Sequence, residues 1–173
     1  MPITTIIPDL FVFLTFLGDI FILLLIINLL VKISAVDDFK NSLRKNSLLL
    51  AFIISLMASL GTLFYSEILG YPPCTLCWIQ RAFMYPIPII LGAALLKKSL
   101  NIKKYAIFLA AIGALIAGYH YLVQIFQLST VCAIGSETPC NIAYSFELGY
   151  ITIPMMSLTV FILIIVLLFK MKS

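Results

Sequence analysis

Charge is scarce in this sequence. Of 173 residues only 10% are charged, one is histidine and one is tryptophan. A soluble domain carries about a quarter charged residues. So few leave too little polar surface to cover a water-facing globule, which excludes a soluble enzyme, a disordered tail and a nucleic-acid-binding module. No linker, low-complexity tract or fixed-period repeat is visible, and the length fits one domain. The basic start and small-residue cleavage site of a signal peptide are also missing, so the first apolar segment reads as a retained helix with its N-terminus outside. What is abundant is hydrocarbon: 63% of residues are hydrophobic, and the mean hydropathy is +1.17.

That hydrocarbon falls into five segments, roughly 10–31, 47–69, 78–96, 105–127 and 151–169. Each approaches the roughly 20 residues that cross a bilayer core. Unpaired backbone amides are not tolerated in lipid, so these segments are expected to be helices. The chain is thus expected to be an all-α, polytopic membrane protein in contact with the lipid bilayer. Arg81 and the prolines Pro86 and Pro88 interrupt the third segment. A kinked helix with Arg81 at the membrane surface is expected there. Asp19 lies inside the first segment, where a carboxylate must face the bundle or be protonated.

The 11 basic residues are distributed unevenly. Ten sit in the stretch 32–46, in the stretch 97–104 or in the C-terminal tail, all on one side if the five segments alternate. The stretch 128–150 has no Lys or Arg, only Glu137 and Glu147. Lys and Arg remain cytoplasmic, so Cys74, Cys77, Cys132 and Cys140 are expected near the outer face. Disulfides form and persist in that compartment.

Pro72-Pro73-Cys74-Thr75-Leu76-Cys77-Trp78 is the most informative stretch. Pro73 suits a first helical turn, which would hold both cysteines where free amides and the helix dipole lower a thiol pKa. Arg81 lies four residues beyond Cys77 on one helix face, where it would favour a Cys77 thiolate or hold an oxygen of a bound acceptor. Zinc is one competing reading, but no second CxxC or His pair accompanies the motif. Haem attachment needs His where Trp78 stands. A static disulfide closing so short a loop constrains little chain entropy. Cys132 and Cys140 bracket a turn-forming loop and, alone, read as a structural bridge. Two pairs on one face also permit relay by thiol–disulfide exchange. His120, in the outer half of the fourth segment with Gln124 one turn on, is an intramembrane ionisable group: a functional residue or a structural one bonded to a neighbouring helix.

Together these residues resemble the DsbB family of membrane thiol:quinone oxidoreductases, in particular its BdbC-like branch. The likeness rests on Cys-Thr-Leu-Cys-Trp-Ile-Gln-Arg at 74–81 running into Phe83-Met84-Tyr85-Pro86. It extends to His120 with Gln124, the loop from Cys132 to Pro139-Cys140, and Gly149-Tyr150-Ile151-Thr152-Ile153-Pro154. The resemblance implies a four-helix bundle over 47–173, preceded here by an additional N-terminal transmembrane helix and cytoplasmic loop over 1–46. It implies residence in the bacterial cytoplasmic (inner) membrane, reoxidation of a DsbA-like thioredoxin-fold partner, and ubiquinone or menaquinone as electron acceptor. Cys74 and Cys77 would be the quinone-coupled pair, with Cys77 the thiolate facing the quinone. Cys132 and Cys140 would exchange with the partner, Cys132 forming the mixed disulfide. Arg81 and His120 would contact the quinone. Two readings compete: a vitamin K epoxide reductase-like thiol:quinone enzyme, whose loop cysteines precede its CxxC, and a small membrane transporter or scaffold with structural disulfides.

Overall fold

The computed structural model describes residues 3–31, 34–97, 102–128 and 138–169, with side chains described over 6–27, 46–97, 102–128 and 138–169. Helix α1 spans Ile3–Val31, α2 Ser34–Leu63, α3 Thr75–Met84, α4 Pro86–Lys97, α5 Lys103–Ile125 and α6 Ile153–Phe169. Among the described residues there is no strand longer than an isolated bridge between Glu147 and Ile151. The protein is all-α: a four-helix bundle of α2, the α3/α4 pair, α5 and α6, with α1 added.

Four stretches are long and apolar enough to cross a membrane: Ile6–Ile27, Asn46–Ile68, Thr75–Lys97 and Lys103–Ile125. The fifth, α6, is a shorter apolar helix of 17 residues, at the lower end of the range that spans. All five expected segments are therefore helical. The stretch 32–46, read from its charges as a connecting loop, is helical from Ser34 onward as the start of α2. It contains no Gly or Pro and is rich in residues that tolerate a helix, so nothing in it stops the backbone. The expected kink in the third segment is present as the break at Tyr85 between α3 and α4, where Pro86 removes a backbone donor.

In lipid, apolar side chains gain little by meeting one another, so helices associate through close backbone approach and polar contacts. Helix α5 buries Ala106, Ala110, Gly113 and Ala117 at helical spacing while Phe108, Leu115 and Leu122 point outward. The small stripe receives α6. A Cβ built on Gly113 would collide with the Phe161 ring, so only glycine admits that fully buried aromatic. Polar contacts fix α1: Thr159 Oγ1 on α6 donates to Asp19 Oδ1 at 2.6 Å, and Tyr150 OH donates to Asp19 Oδ2 at 3.1 Å. The Asp19 carboxylate thus faces the bundle, as its cost in hydrocarbon requires.

Candidate dithiol site

The site begins with a capping residue. Helix α3 opens at Thr75, so Cys74 is its N-cap and Cys77 lies in its first turn. The prolines stop one residue short of the helix, and the sequence expectation that both cysteines share the first turn is corrected by that step. Cys74 adopts an extended backbone, and its sulfur accepts the Cys77 N–H at 3.4 Å. Ser, Thr, Asp or Asn usually fills this role; here a thiol sulfur takes the orphan amide.

More donors converge on the same atom. Cys74 and Cys77 are free, with their sulfurs in hydrogen-bond contact 3.1 Å apart. His120 Nε2 lies 3.6 Å from Cys74 Sγ and 3.1 Å from the Cys140 carbonyl oxygen. A carbonyl can only accept, so Nε2 carries the proton. Nδ1 then accepts from Gln80 Nε2 at 2.8 Å. This fixes one neutral tautomer, with its N–H aimed at the sulfur and the carbonyl together. The Cys77 S–H bond and the His120 contact hold Cys74 below the ordinary thiol range against the opposing effect of burial.

Arg81 is buried inside the bundle. Its Nη2 donates to the Thr62 carbonyl at 2.8 Å, and its guanidinium lies 5.3 Å from the Trp78 ring centre. The accepting carbonyl belongs to the turn of α2 just before a π-helical segment, Phe64–Ile68. Single π-helical turns occur frequently at functional sites. The hydrogen-bond donors reach Cys74, whereas the resemblance implied a thiolate at Cys77.

Cys140 is disulfide-bonded and packs in one buried cluster with Cys74 and Val123, with Cys77 against it. Cys132 lies outside the described residues, as do Lys32, Lys98, Lys170 and Lys172, and the side chains of Lys40, Arg44 and Lys45 are not among those described. A cleft of about 60 Å³ runs between Cys77, Arg81, His120, Gln124, Tyr71 and Pro154. Gln124 Nε2 donates to the Ile142 carbonyl at 3.0 Å, and its buried Oε1 has no hydrogen-bond partner among the described residues. Tyr71 stacks on Tyr144 at 5.2 Å and on Tyr65 at 6.1 Å, roofing the cleft with aromatic rings. Cys74, Cys77 and His120 bring three ligand atoms within 4.8 Å of one another, a set whose chemistry also suits a soft divalent ion.

The sequence-named residues Cys74, Cys77, Arg81, His120 and Cys140 therefore meet at one end of the bundle. Gln80, Thr62, Tyr71 and Tyr144 were missed. Gln80 had a signal, since it is a lone amide in an apolar run three residues after Cys77. Thr62 and the tyrosines had none, because their part depends on tertiary approach.

A family model described as disulfide bond formation protein DsbB matches residues 44–171. The SPbeta prophage-derived disulfide bond formation protein B of Bacillus subtilis is 50% identical over 121 residues, covering 69% of this chain and 81% of that protein. Disulfide bond formation protein C of the same organism is 41% identical over 124 residues, covering 71% of this chain and 90% of that protein. No solved structure matches the chain.

Proposed function

The chain belongs to the DsbB family of disulfide bond formation proteins, and on that premise we propose that it reoxidises an extracytoplasmic DsbA-like thioredoxin-fold protein and delivers the electrons to a membrane quinone. The coarser activity, a membrane oxidoreductase of disulfide bond formation, comes with the family. The finer reading rests chiefly on one observation: a CxxC whose Cys74 shares a buried cluster with disulfide-bonded Cys140.

The redox chemistry is exchange of sulfur bonds. A partner thiolate attacks a disulfide formed by Cys132 and Cys140, and the partner's second thiol resolves the mixed disulfide. The partner leaves oxidised, and Cys132 and Cys140 are left as thiols. Exchange with an oxidised Cys74–Cys77 pair then moves two electrons inward and restores the outer bridge. A bound quinone would supply a two-electron, two-proton acceptor for reoxidation of the Cys74 and Cys77 thiols to their disulfide.

The cleft fits such a group on its donor set. Arg81 provides a buried cationic donor and Gln124 Oε1 an unpaired acceptor, which suits oxygens that alternate between carbonyl and hydroxyl. The His120 N–H steadies the Cys74 thiolate, and Gln80 holds the ring in that tautomer. The positive-inside bias supports an extracytoplasmic position for this end of the bundle. The family match over 44–171 supports treating 1–46 as an addition to a DsbB-like unit.

The test is quinone reduction by thiols in purified protein. Cys77→Ser is expected to stay folded and stop the reaction, and an unchanged rate would refute the assignment. Cys132→Ser is expected to spare direct reduction by a small dithiol and block reduction by a thioredoxin-fold partner.

A further inference from the structure

Two thiols and an imidazole nitrogen are a ligand set as well as a redox centre. Cys74 Sγ, Cys77 Sγ and His120 Nε2 lie within 4.8 Å of one another. They come from the N-cap and first turn of α3 and from the buried face of α5. The CxxC motif has no second ligand pair beside it in the sequence, and folding supplies the imidazole from 46 residues away. We propose that the reduced site binds a thiophilic divalent cation of the zinc class through these three atoms, and that the bound cation holds the protein in a reduced, inactive form. The binding stands on this geometry alone, whereas the inactivation rests on the thiol:quinone reading above.

The distances are close to those a tetrahedral ion imposes. With sulfur at about 2.3 Å and nitrogen at about 2.0 Å, such an ion sets sulfur and nitrogen about 3.5 Å apart and two sulfurs about 3.8 Å apart. Cys74 Sγ and His120 Nε2 are already at 3.6 Å. The two sulfurs are at 3.1 Å, so that pair must widen by about 0.7 Å to reach the tetrahedral spacing. Cys77 is only partly buried and borders the cleft, which leaves its side chain room to move. Three protein ligands leave a fourth position for water or for the Cys140 carbonyl oxygen, which already contacts the same nitrogen at 3.1 Å.

Protons and charge also balance. A divalent ion displaces one proton from each thiol, and no electrons move. Nε2 must give up its proton to bind, and that proton moves to Nδ1. The Gln80 amide, 2.8 Å from Nδ1, accommodates the change by turning over so that its oxygen accepts the new N–H. Two thiolates and a neutral imidazole cancel the charge of the ion, which avoids an uncompensated charge in a buried site. Soft sulfur and imidazole select zinc-class ions over magnesium and calcium, which take oxygen ligands. A Cys74–Cys77 disulfide removes both thiolates, so the oxidised protein offers no such site. Bound sulfurs, in turn, are withheld from disulfide exchange and from reoxidation.

The experiment titrates reduced full-length protein in detergent with Co2+, whose visible bands report tetrahedral geometry and whose ultraviolet charge-transfer band reports thiolate ligands. Both signatures are expected, displaced by Zn2+, absent from the oxidised protein, and retained when Cys132 and Cys140 are both replaced by serine. His120→Ala should weaken cobalt binding by at least about tenfold, the scale on which the surroundings of a metal ligand act. Gln80→Glu, a second variant should the first misfold, keeps an acceptor at Nδ1 and should tighten binding. No tetrahedral thiolate spectrum, equal binding by oxidised protein, loss of the spectrum with the outer serines, or unchanged affinity in folded His120→Ala each overturns the site. Zn2+ should also stop quinone reduction by thiols, and a chelator should restore it; activity that persists in zinc-loaded protein overturns the inactivation. Failure of the metal-free wild type to reduce any quinone overturns the parent reading and the inactivation with it, while the cobalt spectra decide the site by themselves.

Discussion

Cys74 concentrates the chemistry of the site in one atom. Its folded pKa lies below the ordinary thiol value through the Cys77 S–H bond, the His120 contact and the Cys77 backbone N–H. A thiol lowered in this way contributes stability that is complete above the unfolded value, about 8.5, and is lost as pH falls through the folded one. Alkylation of Cys74 by a small reagent is accordingly expected to persist well below pH 8, with Cys77 replaced by serine in a parallel sample to separate the two sulfurs. His120→Ala removes one donor and should move the alkylation midpoint upward; an unmoved midpoint would show that the imidazole does not steady the sulfur. Gln80→Leu leaves His120 Nδ1 buried and unpaired, at a cost of about 1–3 kcal/mol. Denaturant titration against wild type measures it.

At the scale of elements, the α5–α6 contact depends on which glycine is changed. Gly113→Ala drives a methyl group into Phe161 and is expected to destabilise by about 1–3 kcal/mol, as overpacking does. Gly118→Ala, on the same helix, meets only ordinary contact with Leu158 at 4.0 Å. It should be neutral or gain up to about 1 kcal/mol from helix propensity. Thermal unfolding of the pair in one detergent gives the comparison, and equal Tm shifts would contradict it. The helices themselves were legible in the sequence because hydropathy and length dictate them, and Pro86 announced the break at Tyr85. The helical start of α2 was not, since its charges resemble those of a loop. The π-helical turn at Phe64–Ile68 also left no pattern. Its neighbour Thr62 matters through an approach by Arg81 from another helix, and hydropathy is blind to such approaches.

For the whole molecule, the two cysteine pairs are the test of a relay. Thiol labelling in membranes depleted of quinone should find both pairs reduced, and quinone replenishment should reoxidise them. Structural bridges would stay oxidised throughout. The cysteines, Arg81 and His120 could be singled out from residue type and spacing. Their convergence around a single imidazole tautomer could not, because it requires α3 with Cys74 and Gln80, α5 with His120, and the Cys140 carbonyl to arrive from three separate parts of the chain.

The Asp19 contacts carry a consequence for biogenesis. Its two hydrogen-bond donors lie 131 and 140 residues further along the chain, so α1 leaves the ribosome long before either exists. Until the last helix is inserted, the carboxylate must wait at the protein-conducting channel, sit protonated among lipids, or borrow water. A nascent chain halted ahead of Ile153 should hold its opening helix loosely and expose it to membrane proteases, and completion of the final span should end that vulnerability.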